Sequence, residues 1–196
     1  KKSIFFEQTV MKEMVGIQDQ IASSYGGFNQ IKINKKGNFS VDKIDISKKN
    51  SNELNNNLIL MFSNKQRIAD RIARTFVPKL NNSKYNHMKE IFSLVEPAKD
   101  SILKKDFENF GKLLDSSWRL KRSLSKSISD SYLDDLYESA LNKGALGGKL
   151  LGAGGGGFFL FYVPKNKQRK FLNYFKKFTI IPFNFSNEGS KIIYSN

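Results

Sequence analysis

Apolar and polar positions alternate along this chain with a period that switches repeatedly between helix and strand. Residues 3–15 set Ile4, Phe5, Met11, Met14 and Val15 on or near one helical face, and Gly16 interrupts the pattern. Gly26-Gly27 introduces an alternating strand over 28–33, and Lys35-Lys36-Gly37-Asn38 turns the chain into a second strand over 39–46. Residues 48–57 are polar and read as a loop, followed by Leu58-Ile59-Leu60-Met61-Phe62, a buried strand. Residues 66–76 predict a helix that stops before Pro78. Residues 85–105 predict a long helix bent at Pro97, and two more helices follow over 106–124 and 130–142. Asp130 is a favoured N-cap for the last of these, and Gly144 closes it. The C-terminal third holds a strand over 158–163, a basic helix over 166–178 and short strands over 179–185 and 191–194. Strands near both ends with helices between them predict an α+β fold, with helices packed on one face of a mostly antiparallel sheet. There is no internal repeat, and a domain boundary is placed in the 48–57 stretch.

Composition narrows the function classes. The absence of cysteine excludes a disulfide framework, a thiolate nucleophile and a sulfur-ligated metal, and it suits a cytoplasmic protein. The apolar runs fall well short of a membrane span, and Lys1-Lys2 leads into a helix containing Glu7, Lys12 and Glu13 rather than a signal peptide. A net charge of +15 is formally that of a nucleic-acid binder. The lysines are spread through helices, turns and tail alike, which predicts a solvated basic surface without specific nucleic-acid recognition. A basic non-catalytic nucleic-acid-binding domain stays open as an alternative, although no strand carries the RNP-type aromatic signature of an RNA-binding sheet. His87, the single histidine, has no companions at ligand spacing, so no metal site is expected among the protein's own side chains.

The chemistry concentrates in two segments. Gly152, Ala153, Gly154, Gly155, Gly156 and Gly157 run directly into the strand Phe158-Phe159-Leu160-Phe161-Tyr162-Val163. So dense a glycine cluster implies left-handed backbone or a close approach, and such a loop can aim N–H groups at a phosphate. It has neither the Gly-Lys-Ser/Thr of a P-loop nor the spacing of a dinucleotide fingerprint. A tight-packing turn is the alternative. The second segment, Gly16-Ile17-Gln18-Asp19-Gln20, sets a carboxylate between two amides shortly before Tyr25-Gly26-Gly27. Asp19 is either the cap of a helical turn or a general base oriented by Gln18 and Gln20.

Taken together, these segments resemble the GHMP kinase superfamily, the group of galactokinases, homoserine, mevalonate and phosphomevalonate kinases. Leu150-Leu151-Gly152-Ala153-Gly154-Gly155-Gly156-Gly157 resembles its third signature motif, and Gly16-Ile17-Gln18-Asp19-Gln20 the segment carrying the catalytic aspartate of the galactokinase branch. Tyr25-Gly26-Gly27-Phe28-Asn29, Trp118-Arg119-Leu120-Lys121-Arg122-Ser123-Leu124-Ser125 and Gly144-Ala145-Leu146-Gly147-Gly148-Lys149 are similar to the D-glycero-D-manno-heptose 7-phosphate kinases in particular. The family's substrate-binding N-terminal motif and its Pro-x-x-x-Gly-Leu-Gly-Ser-Ser-like phosphate loop have no counterpart here. On this resemblance Lys1 falls just after that loop, and the chain is expected to be the C-terminal part of a kinase, inactive alone.

The resemblance implies a ferredoxin-like sheet with helices in a C-terminal domain over 58–196, and a remnant of an N-terminal α/β domain over 1–57. It implies phosphoryl transfer from ATP with Mg2+ to a hydroxyl of a sugar or sugar phosphate, foremost the C1 hydroxyl of D-glycero-D-manno-heptose 7-phosphate; galactose and fucose kinases share the chemistry. Asp19 would be catalytic. Gln18, Gln20, Tyr25, Gly26, Gly27, Lys121 and Arg122 would lie on the sugar side, and residues 152–157 would close over substrate and phosphate. Lys121 and Arg122 read equally as a phosphate anchor or a solvated helix face. Trp118 reads as core and Arg67 as a capping or salt-bridge residue, while a homodimer is an open expectation.

Overall fold

The computed structural model describes residues 1–66, 69–80 and 82–194. A helical turn α1 (Lys2–Phe5), continued by a π-type turn (Phe6–Val10), leads to α2 (Gln18–Tyr25). The hairpin β1 (Asn29–Ile33) and β2 (Phe39–Lys43) pairs antiparallel, Ile31 opposite Val41. Then come α3 (Lys48–Asn56), β3 (Leu58–Phe62), α4 (Ala69–Phe76), α5 (Tyr85–Ser93), α6 (Val95–Lys104), α7 (Phe107–Arg122) and α8 (Ser131–Asn142). The strands β4 (Gly147–Leu150) and β5 (Phe158–Tyr162), the helix α9 (Lys165–Tyr174) and the short β6 (Ile180–Ile181) complete it. β3 to β6 form one antiparallel sheet in the order β4-β5-β3-β6, with Phe159 of β5 opposite both Met61 and Leu150.

Period-2 alternation in β5 serves two cores at once. Phe159 and Phe161 enter a cluster with Met61 of β3, with Trp118, Leu133, Tyr137 and Phe171 from α7, α8 and α9, and with Phe175 just beyond α9. Tyr162 enters a second with Leu54, Leu58, Ile102 and Phe107, and Phe28, Leu160, Phe183 and Phe185 pack against it. Aromatic rings dominate the first: Trp118 meets Phe159 edge-on at 5.8 Å, and Phe159 stacks on Phe161 at 5.1 Å. Both faces of the sheet are therefore covered, not one. Asp130 caps α8, accepting from the Leu133 N–H at 3.0 Å, as its sequence position predicts.

Elsewhere the elements depart from the sequence reading. Residues 48–57 form a helix, because Ser47 caps it and Leu54, fully buried, anchors it beneath β3. The helix expected over 85–105 is two helices meeting at Leu94. Pro97 lies in the first turn of α6, where its missing N–H leaves no bond unmade. β4 was hidden by its glycines. Only Ile180 and Ile181 of 179–185 pair, and 191–194 form no strand; Ile192 and Ile193 are 87% and 97% exposed. Trp118 is fully buried, as expected, whereas His87 sits half-buried with Nδ1 enclosed. Arg67 lies outside the described residues.

Candidate active site

The connection from β4 to β5 is built from its neighbours inward. The Leu151 N–H donates to the Phe158 carbonyl at 2.9 Å, closing the base of the loop. Gly155 N–H donates to Ile128 O and Gly157 N–H to Lys65 O, each at 2.7 Å, while Ser63 N–H donates to Gly157 O at 2.9 Å. The loop is thus clasped between the segment leaving β3 and the segment entering α8. A Lys65–Asp130 ion pair and the Tyr132 hydroxyl, donating to Ser63 O at 2.9 Å, tie those two supports together. Several of these positions require glycine, Gly154 and Gly155 among them. Gly154 (φ +108°) and Gly155 (φ +77°) are left-handed, and a Cβ there would stand 2.8 Å from the Ile128 carbonyl and from Ile72 Cδ1 respectively. The N–H groups of Gly152, Ala153 and Gly154 make no hydrogen bond among the described residues, which leaves three successive donors for an anion.

Asp19 lies in the first turn of α2, where the helix dipole favours a negative charge. It is not the cap: Ile17 holds that position without any side-chain bond. The Asp19 carboxylate is exposed and makes no hydrogen bond or ion pair among the described residues. Lys149 stands opposite Leu160 on β4, a few residues before the glycine loop. Burial pushes the Lys149 amine below the ordinary lysine range, and Asp19 opposes that shift in part. Sequence reasoning passed over this lysine, although a single cation among Gly147, Gly148 and the glycine loop was its visible signal.

The other expected residues divide. Gln20 donates to Glu7 Oε2, and its own Oε1 is enclosed without a partner, beside Asp19 in sequence. Gln18 and Tyr25 are exposed. Gly26 and Gly27 are accounted for by packing: Gly27 N–H donates to Ser186 O at 2.8 Å, and a Cβ on Gly26 would overlap the backbone of Glu188. Lys121 Nζ donates to the carbonyls of Leu150 (3.4 Å) and Gly152, bracing the root of the loop. Arg122 pairs with Asp134 at 3.0 Å, which also accepts from Ser129. Lys121 and Arg122 thus both have partners within the fold. Behind the loop, the Tyr137 hydroxyl donates to Asp115 at 2.7 Å, with Gly148 O 3.2 Å away. Burial and that carboxylate raise its pKa far above the ordinary tyrosine value. Two open concavities of about 480 and 560 Å3 lie elsewhere, lined around Tyr162–Asn166 and Ile180–Asn184, and include neither Asp19 nor the loop.

With this geometry in place, comparison with known proteins is informative. Residues 98–180 match the family described as GHMP kinases C terminal. Over 181 residues, 90% of this chain, the sequence is 30% identical to D-glycero-alpha-D-manno-heptose 7-phosphate kinase of Campylobacter jejuni, and it spans 53% of that protein. The fold superposes with TM-score 0.72 on D-glycero-D-manno-heptose 1-phosphate kinase from Bacteriodes thetaiotaomicron at 22% identity, covering 99% of this chain and 54% of that one. It superposes with TM-score 0.65 on galactokinase of Lactococcus lactis complexed with galactose at 17% identity, covering 95% of this chain and 58% of that one. The chain thus spans about half the length of these relatives.

Proposed function

From the match of residues 98–180 to the family described as GHMP kinases C terminal, we propose that the chain works as part of an ATP-dependent sugar kinase. The acceptor is a hydroxyl of a sugar or sugar phosphate, foremost the C1 hydroxyl of D-glycero-D-manno-heptose 7-phosphate, in line with the 30% identity over 90% of the chain to a heptose 7-phosphate kinase. One structural observation carries the reading. The glycine loop is clasped at Gly155 and Gly157 by the carbonyls of Ile128 and Lys65, while the N–H groups of Gly152, Ala153 and Gly154 make no hydrogen bond among the described residues.

Phosphoryl transfer is governed by positioning and by electrostatic stabilisation of the equatorial oxygens. Asp19 receives or steers the proton of the attacking hydroxyl. The N–H groups of Gly152, Ala153 and Gly154 cradle phosphate oxygens. Bound ATP supplies the phosphoryl group. Among the described residues no three His, Asp or Glu side chains cluster, so Mg2+ fits as an ion carried on the phosphates with one or two carboxylates, Asp19 being the exposed one at the site. We assign residues 1–57 to the side that bears Asp19 and 58–196 to the C-terminal domain, in a cytoplasmic enzyme; turnover then needs the phosphate loop of a complete N-terminal domain.

The test is a coupled ADP-release assay with ATP and Mg2+ on a longer protein carrying this chain, run against heptose 7-phosphate, galactose and fucose. Turnover with heptose 7-phosphate well above the other two is expected. Turnover with none of the three overturns the reading, and preference for galactose or fucose overturns the substrate.

A further inference from the structure

The concavity of about 480 Å3 beside the end of β5 has no part in the kinase reading, and its lining is unusual. Phe107, Pro164 and Tyr162 form its buried side, while Glu53, Asp106 and Glu108 stand exposed around it. Tyr162 is only 3% exposed, its ring packed on Gly111 of α7 so closely that a Cβ there would stand 2.8 Å away. Its hydroxyl nevertheless makes no hydrogen bond among the described residues, and it is not sealed from water. The ring is thus fixed in the core while the hydroxyl opens into the concavity. A polar group held there without a partner is costly unless something in the concavity supplies one. The charges acting on the hydroxyl are Glu108, Glu53 and Asp106; Lys105 and Lys165, which also line the concavity, are not among them. Burial and then those carboxylates raise the Tyr162 pKa to about 12. The side chains of Glu53 and Glu108 make no ion pair or hydrogen bond among the described residues, and Asp106 engages one oxygen with the Asn109 N–H at 3.1 Å. Asp106 and Glu108 also offset the positive end of α7. Among the described residues no three carboxylates come together to hold a metal ion, so a bare divalent cation does not fit. An organic ammonium does: it has three donors to share between a carboxylate and a neutral acceptor, and a carbon stem to set against Phe107 and Pro164.

We propose that this concavity is a binding site for a small alkylammonium compound, whose ammonium donates to the Tyr162 hydroxyl and to the carboxylates of Glu53 and Glu108 while its carbon stem lies against Phe107 and Pro164. The inference stands apart from the kinase reading, since the concavity includes neither Asp19 nor the glycine loop. Exposed carboxylates alone hold a cation weakly, because water screens them. The hydroxyl of a buried ring adds an acceptor whose position is set by the core, and a hydrogen bond between it and a charged donor is worth about tenfold in affinity.

The test is a titration of the 196-residue chain with n-butylammonium, butyrate and butanol at equal ionic strength, followed by NMR of the backbone amides. Butylammonium is expected to shift Phe107, Glu108, Tyr162 and Asn166 saturably, with butyrate and butanol far weaker. Tyr162→Phe should weaken butylammonium about tenfold without lowering the melting temperature, because the hydroxyl has no protein partner to lose. Glu53→Gln combined with Glu108→Gln should weaken it further and remove most of its dependence on salt. Butyrate binding as tightly as butylammonium overturns the choice of a cation, and equal binding of all three probes reduces the concavity to an apolar cleft and overturns the proposal. So does the absence of a saturable shift with any probe, or undiminished affinity in Tyr162→Phe. A melting temperature that falls in Tyr162→Phe would give the hydroxyl a structural partner instead, and overturns it as well.

Discussion

At the scale of single residues, Asp19 and Lys149 pull function and stability in opposite directions. Asp19→Asn preserves shape and helix position while removing the base, so turnover in the active kinase falls by about a hundredfold. Sugar affinity by calorimetry stays near its original value; retained turnover would exclude Asp19 as base. Lys149 carries the opposite kind of penalty. Its folded-state pKa is depressed by burial, so between that value and the unfolded 10.5 the unfolded chain binds the extra proton. The penalty is present in full below the depressed pKa and is relieved as pH rises through it. Lys149→Met therefore raises the melting temperature at neutral pH, and the advantage shrinks as the buffer approaches pH 10.5. A destabilised Lys149→Met would mean that the ammonium has a partner in the native state. Gly154→Val meets both a left-handed backbone and the Ile128 carbonyl. It is expected to lower stability together with activity, since the loop is part of the packing between β3 and α8 as well as a binding surface.

Among the elements, what could be read from the sequence is what depends on period. The apolar run of β3, the aromatic run of β5 and the capped α8 follow from local pattern, and all three stand where the pattern puts them. Asp19 and the glycine loop were legible as a motif, for the same reason that dense glycine and an acid between amides are rare locally. What was not legible is decided by distant contacts. β4 has glycines where strands usually carry β-branched residues: α7 crosses it so closely that a Cβ on Gly147 would overlap the Gly111 carbonyl, and on the β5 side one on Gly148 would press on Phe161. α3 is a polar stretch that becomes a helix through one buried leucine. Gly147→Val tests the crossing: pushing α7 off β4 should cost about 3 kcal/mol or more in denaturant titrations, as overpacking against backbone does. It should also disturb the glycine loop next door, so turnover falls with stability. A neutral Gly147→Val would mean that α7 does not need to approach β4 so closely.

Across the whole molecule, cohesion is uneven. The sheet and helices α7 to α9 share an aromatic cluster with Trp118, Tyr137, Phe159, Phe161 and Phe171 essentially inaccessible to water. The N-terminal arm ahead of α2 buries none of its residues; Phe5, Phe6, Val10 and Met11 are all more than half exposed. Polar contacts hold it: Gln20 to Glu7, and Met14 N–H to Asp70 Oδ1 at 2.8 Å, while Arg74 bonds Asp70 at 2.7 Å. Exposed polar ties of this kind are individually weak and are screened by salt. Opening free energies within one fold span from near zero up to the global value, so the arm should open long before the core. The Arg74 side chain and the Met14 N–H hold Asp70 below the ordinary aspartate value. That tie persists above the unfolded pKa of 3.8 and is lost as pH falls through the lower folded value. Hydrogen exchange at neutral pH is therefore expected to label residues 1–15 first and β3, β5 and α8 last, over several orders of magnitude in protection. Asp70→Asn should speed exchange at Met14 and its neighbours while the core amides keep their rates. Uniform protection from arm to core would mean that the arm folds as one unit with the sheet. Asp19 follows this arm directly in sequence, so loosening the arm should also disturb the placement of that carboxylate. Asp70→Asn in the active kinase is then expected to lower kcat severalfold with little change in melting temperature, a split that a purely structural tie to the core would not produce.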